Sequence, residues 1–268
     1  MYDFKKKYQV MGILNVTPDS FSDGGDHFSP EQALAHARQL IAEGADILDI
    51  GGQSTRPGYV EVSPEEEIAR VVPVIRELKK ITPLPLSVDT YVPEVAAAAI
   101  SAGCDIINDI RGLDTPGMLA VLAQAPHVGI IIMHSRPRRK ELTVAADIQS
   151  FYQEKYDACL AVGIDPTRLC FDPGVGFAKS PEENITIIRE PGKFRFRDFP
   201  VLYGVSRKRT IAHLTDEPNP KERDYGTIAA SLFACDRDDV EILRVHNVKG
   251  MADALKVWSR LKEGTADA

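Results

Sequence analysis

The order of its apolar runs predicts an α/β chain folded as a single-domain (β/α)8 barrel, a TIM barrel spanning residues 1–268. Three observations carry that reading. Short runs rich in Val, Ile and Leu alternate with helical apolar patterns along the whole chain. Nearly every run ends in a polar or charged side chain, whereas an open doubly wound sheet, the alternative architecture, uses only the strand ends at its switch point. The length of 268 residues, 44% of them hydrophobic and 26% charged, suits one such barrel and excludes disordered, collagen-like and miniature classes.

Strands are expected at 10–15, 46–51, 84–89, 105–109, 129–134, 169–172, 201–204 and 242–246. The clearest helical spacings fall at 30–43, 64–80, 148–162 and 251–261. Three helices open on the same grammar, with Ser29, Ser63 and Ser180 each followed by Pro and Glu. A Ser cap accepts from a free N–H of the first turn, and Pro at the first helical position gives up a hydrogen no helix could use there. Gly44, Gly103 and Gly163 stand where helices end in the left-handed conformation. No linker or low-complexity segment divides the chain.

A net charge of -7 argues against a nucleic-acid or anionic-membrane binder. Cys104, Cys159, Cys170 and Cys235 are widely spaced, without a CxxC pair, which fits a reduced cytoplasmic protein. Lys5, Lys6 and Lys7 precede no apolar stretch long enough for a signal peptide, and the longest greasy run, 128–133, is too short to span a bilayer.

Arg244 and His246 are the most informative pair, because residues two apart on a strand point to the same side. A forked guanidinium beside an imidazole, at the strands where barrels often build a phosphate site, suits a phosphate or diphosphate. The alternative is an Arg paired with a nearby carboxylate and a His bonded to backbone. Asp89, Asn108 and Asp172 end the third, fourth and sixth strands and together can bond the amidine-like edge of a heterocycle. Each alone also suits a turn, Asp172-Pro173-Gly174 above all. Asn15 is either a turn residue or a weak ligand of Mg2+ whose shell diphosphate oxygens and water would complete. Lys208 follows a strand directly and can enter the site, whereas the basic run 136–140 reads as a solvated loop. There is no nucleophilic triad, P-loop or GxGxxG strand end.

These residues sit in motifs that resemble bacterial dihydropteroate synthases, in order and over nearly the whole chain. They are GILNVTPDSFSDGG from Gly12, GGQSTRPG from Gly51, SVDT from Ser87, IINDI from Ile106, MH at Met133, DPGVGFAK from Asp172, SRK from Ser206 and RVHNV from Arg244. The resemblance implies a (β/α)8 enzyme, usually a homodimer and a sulfonamide target, that joins 4-aminobenzoate to 6-hydroxymethyl-7,8-dihydropterin diphosphate and releases pyrophosphate. It implies Asn15 as the Mg2+ ligand, Thr55 as a diphosphate contact, Asp89, Asn108 and Asp172 on the pterin, and Met133 packed against that ring. Lys208 would bond the pterin beside the aminobenzoate, and Arg244, Val245 and His246 would hold the leaving pyrophosphate. Phe21, Arg56, Pro57, Phe177 and Ser206 would shape the aminobenzoate subsite. Gln53, Asn247 and Arg209 depart from the family's usual Glu, Asp and small residue, and the stretch after His134 lacks a common Gly-x-Pro pattern. Two rival functions share the pterin barrel, a methyltetrahydrofolate:corrinoid methyltransferase and a binding-only paralogue. The first has no diphosphate to hold, and intact Asn15, Lys208 and His246 speak against the second.

Overall fold

The computed structural model describes residues 2–17, 30–53, 61–237 and 240–263. Parallel strands β1 (Gln9–Asn15), β2 (Ile47–Gly51), β3 (Leu86–Asp89), β4 (Ile106–Asp109), β5 (Gly129–Met133), β6 (Leu169–Asp172), β7 (Leu202–Tyr203) and β8 (Ile242–Val245) form one eight-stranded sheet in the order 6-5-4-3-2-1-8-7. A bridge between Phe171 and Val201, with the Phe171 N–H on the Pro200 carbonyl at 2.9 Å, brings the two edges together. The alternation of runs is thus a barrel and not an open sheet.

Around it lie α1 (Pro30–Glu43), α2 (Pro64–Ile81), α3 (Pro93–Ala102), α4 (Met118–Ala123), α5 (Val144–Ala161), α6 (Pro181–Arg189), α7 (Arg209–Thr215), α8 (Asp224–Cys235) and α9 (Val248–Glu263). The Ser grammar works as expected at two of its three sites. Ser63 accepts from Glu66, and Ser180 and Glu183 cap each other reciprocally; Ser29 lies outside the described residues. Gly44, Gly103 and Gly163 adopt φ of +101°, +103° and +78° at their helix ends. Helix α5 starts four residues before the expected 148, because the Thr143 hydroxyl accepts from the Ala146 N–H. The run 136–140 is not simply solvated. Arg138 is nearly buried and paired with Asp147 and with Glu183 at 3.0 Å, and Arg136 forks onto Asp114 and Glu154.

Strand alternation divides the core in two. Outward-facing Leu, Ile and Val of the strands meet the apolar stripes of the helices in one large cluster. Inside the barrel, Met11, Ile47, Ile106, Ile131, Cys170, Leu202 and Ile242 form a closed apolar layer with Phe4 beneath it. Gly129 makes room for that ring, since a Cβ there would stand 2.7 Å from Phe4. The floor is apolar, and two residues further along β2, β4, β6 and β8 the inward positions are Asp49, Asn108, Asp172 and Arg244.

Candidate active site

Above the floor the inward positions are Asp49, Asp89, Asn108, Met133, Asp172, Gly204 and Arg244, with Ser87 lower, beside Ile106 of the floor layer; the register sets Asp89 beside Asn108 and Met133 beside Asp172. The structure therefore brings together Asp89, Asn108, Asp172 and Arg244, which the strand ends pointed to, with Met133, which the family resemblance implied. Met133 is buried in the same ring. Val245 is not part of it. Its side chain packs in the outer cluster, leaving only its backbone on the site side.

Asp49 is the residue that sequence reasoning missed. It is wholly buried and receives Arg244 Nε at 2.6 Å and the Asn108 amide at 3.3 Å, while Arg244 NH2 reaches Asp89 at 2.7 Å. The carboxylate pairing that the sequence left open for Arg244 beside the anion reading is present, through Asp49 and Asp89. Burial opposes the charge on Arg244, and the two carboxylates outweigh it, so the guanidinium titrates above its ordinary value. Asp89 is pushed up by burial, against the pull of Arg244 and with the push of Asp49. One oxygen of Asp49 and one of Asp89 are buried without a hydrogen-bond partner among the described residues. Such oxygens are expensive unless a ligand N–H or water meets them.

Asp172 makes the turn contact that the following Pro173-Gly174 suggested. Its Oδ1 accepts from the Gly174 N–H at 2.7 Å, a turn bond, while Oδ2 faces the open space at Gly204. Lys208 Nζ lies on that same space, donates to the Val175 carbonyl at 2.5 Å and stands 4.6 Å from the centre of the Phe177 ring. Burial pulls the Lys208 pKa down to about 8 against the attraction of Asp172, and burial holds Asp172 above the usual carboxylate range. Ser206 Oγ lies 2.9 Å from His246 Nδ1 and accepts the His246 N–H at 3.1 Å, joining the ends of β7 and β8.

The loop after β6 holds left-handed Gly174, Gly176 and Ala178. Lys179 pins it by donating to the carbonyls of His134, Gly174 and Phe177 at 3.1, 3.0 and 3.1 Å. His134 itself turns outward, against Phe151 and within 3.7 Å of Asp147, so this polar strand end does not face the site. Asn15 closes β1, its amide oxygen beside the missing Cβ of Gly51. Phe21, Thr55, Arg56 and Pro57 lie outside the described residues. Gln53, where the family usually has Glu, donates to the Tyr91 hydroxyl at 2.5 Å and accepts the Val62 N–H at 3.2 Å, a double role only an amide performs.

The pterin binding enzyme family model matches residues 11–246. Dihydropteroate synthase of Bacillus subtilis is 43% identical over 258 residues, 96% of this chain and 90% of its own. A Xanthomonas albilineans dihydropteroate synthase solved with 4-aminobenzoic acid superposes with a TM-score of 0.91 at 45% identity, over 97% of this chain and 95% of that one. The same organism's enzyme in complex with 7,8-dihydropteroate gives 0.89 at 42% identity, over 98% and 96%. With the match running from the first strand to the last and the relatives aligned over nearly their full lengths, the chain belongs to the pterin-binding enzymes and, within them, to the dihydropteroate synthases.

Proposed function

We propose that the polar ring performs the condensation expected of this family, replacing the diphosphate of 6-hydroxymethyl-7,8-dihydropterin diphosphate by the nitrogen of 4-aminobenzoate. The observation that carries the reading is the buried row Asp49–Arg244–Asp89 facing Asp172 and Lys208 above an apolar floor. A flat heterocycle with both N–H donors and acceptors is the kind of ligand that satisfies it. Asp89 and Asp172 would accept from ring N–H groups and Asn108 would bond its edge, with Met133 against its face and Lys208 at the exocyclic side.

Departure of diphosphate builds negative charge outside the ring, and fixed positive groups there lower the barrier. His246 and Lys208 would supply them, with the backbone of Val245 and with Thr55. Arg244 contributes its remaining donors. A guanidinium has five N–H groups, and here two point at the carboxylates. The arylamine is neutral near pH 7 and attacks without a strong base; Phe21, Arg56, Pro57, Phe177 and Ser206 would frame it. The new C–N bond takes the nitrogen lone pair, the C–O pair leaves with pyrophosphate, and the amine proton passes to solvent.

Among the described residues no group of three His, Cys, Asp or Glu stands ready for a metal ion. The neutral amide of Asn15 at the open end of β1 fits Mg2+, an ion that keeps most of its shell as water and phosphate oxygens and that would draw charge from the leaving group. Four free, buried cysteines support a cytoplasmic setting, and among the described residues no helix is long and apolar enough to cross a membrane. A homodimer through α7, α8 and α9, and inhibition by sulfonamides as arylamine analogues, complete the proposal. The test is pyrophosphate release in the presence of Mg2+ and both substrates. Release at the same rate without the arylamine overturns the reading.

A further inference from the structure

The segment Ser206-Arg207-Lys208 carries two groups of the site, yet Arg207 between them points away. Its backbone is left-handed, with φ of +58°, a conformation a non-glycine residue keeps only when its surroundings hold it. Its main-chain groups and two of its guanidinium nitrogens are held from behind by Arg223 and the first turn of α8. The guanidinium forks onto Asp224, Nε to Oδ1 at 2.6 Å and NH2 to Oδ2 at 2.8 Å. The Arg207 N–H donates to Thr227 Oγ1 at 3.0 Å, and its carbonyl accepts from Arg223 at 3.0 Å.

The same carboxylate reaches the other half of the site. Asn247, next to His246, donates to Asp224 Oδ2 at 3.3 Å while its own Oδ1 accepts the Gly250 N–H at 2.8 Å and caps α9. An Asp at 247 would cap equally well but would set a second carboxylate against Asp224, which accounts for the departure from the family's usual residue. Ser206 and His246 are thus joined in front by their own hydrogen bond and behind through Arg207, Asp224 and Asn247.

We propose that Asp224 is a positioning residue of this enzyme, setting Lys208 and His246 in register through Arg207 and Asn247. The inference rests on the reading that these two groups face the departing diphosphate. Asp224 touches no substrate in that reading and acts from behind the ends of β7 and β8.

The variant Asp224→Asn keeps the shape and removes the charge that the Arg207 fork requires. It is expected to raise amide hydrogen exchange at 206–208 and 246–250 while leaving the ends of β3 and β6 as protected as before. It should weaken binding of inorganic pyrophosphate with Mg2+ by about tenfold or more, the order of one charge-assisted contact. Affinity for a pterin lacking the diphosphate should fall clearly less than that for pyrophosphate, as all its partners but Lys208 sit on other strands. Adding Asn247→Asp returns a carboxylate beside Arg207 and should recover most of the lost pyrophosphate affinity. Unchanged exchange at 206–208 in Asp224→Asn overturns the proposal, as does an equal loss of pterin and pyrophosphate affinity or a double variant no better than the single one. If the unaltered enzyme binds no pyrophosphate, the reading of the site falls, while the exchange data still decide whether Asp224 sets these segments.

Discussion

At the scale of single residues the site is a problem of charge kept out of water. Arg244 is held between Asp49 and Asp89, so its removal does more than empty an anion pocket. Two buried carboxylates would lose their cation, and removing one partner of a buried ionic set costs about 3–5 kcal/mol. Arg244→Ala should therefore lower the unfolding free energy by about that amount in a urea titration and weaken pterin and pyrophosphate together. Unaltered stability would mean that the carboxylates do not depend on Arg244. Lys208 has the opposite bias. Burial brings its pKa to about 8, so the ammonium proposed to serve the site is present below pH 8 and lost as pH rises through it. The kcat/KM profile should fall on the alkaline side near pH 8, and Lys208→Arg, whose guanidinium keeps its proton, should move that limb upward at reduced activity. An unmoved limb would assign it to another group. Of this chemistry the strand-end residues were legible in the sequence because they stand where an apolar run stops. Asp49 was not, since it lies inside the run Ile47–Gly51, where a lone acid gives no spacing to read and only the closed barrel reveals its partner 195 residues away.

At the scale of elements, what reads clearly in sequence is what depends on neighbours along the chain. The Ser-Pro-Glu openings and the Gly endings are local hydrogen-bond problems with local answers, and they hold at Ser63, Ser180, Gly103 and Gly163. The pinned loops were not legible. Lys179 looks like one more basic residue after a Gly-rich turn, and its three carbonyl partners and His134 converge only when β5 and β6 lie side by side. The barrel floor gives the sharper test. Phe4 precedes the first strand and belongs to none of the apolar runs, yet it is buried and seals the inner layer against Gly129. Phe4→Ala should cost about 3–5 kcal/mol by leaving a cavity, and Gly129→Ala about 1–3 kcal/mol by forcing the ring aside. Both are read as lowered midpoints in thermal unfolding, and a Phe4→Ala protein as stable as the parent would show that the plug is dispensable.

At the scale of the whole molecule, the closed sheet separates the candidate site from the outer faces of the helices. The polar ring faces the open end of the barrel, and the helices turn their apolar stripes inward. Yet α7, α8 and α9, which pack side by side, keep large apolar side chains in solvent: Leu214, Tyr225, Phe233, Val257 and Leu261, with Tyr225 87% exposed. Scattered exposed Leu or Tyr residues need no explanation, but these five lie on three neighbouring helices, where an apolar face would mark an association surface. The composition could not announce this, because in sequence each of these residues falls at a spacing that also suits the core. A second copy packed by a two-fold axis would cover the face symmetrically, and an area of some 2,000 Å² or more outweighs the mutual repulsion of two chains each carrying a net charge of -7. The expectation is a species of twice 29.5 kDa in sedimentation equilibrium at micromolar concentration. Tyr225→Glu with Leu261→Glu should convert it to single chains that still bind pterin, because neither side chain belongs to the barrel interior. A single-chain mass at every concentration for the unaltered protein would leave this face without a second copy. The consequence for catalysis is mechanical. Helices α8 and α9 hold the ends of β7 and β8 through Asp224 and Asn247, so burying their outer faces would stiffen the side of the site that meets the departing diphosphate.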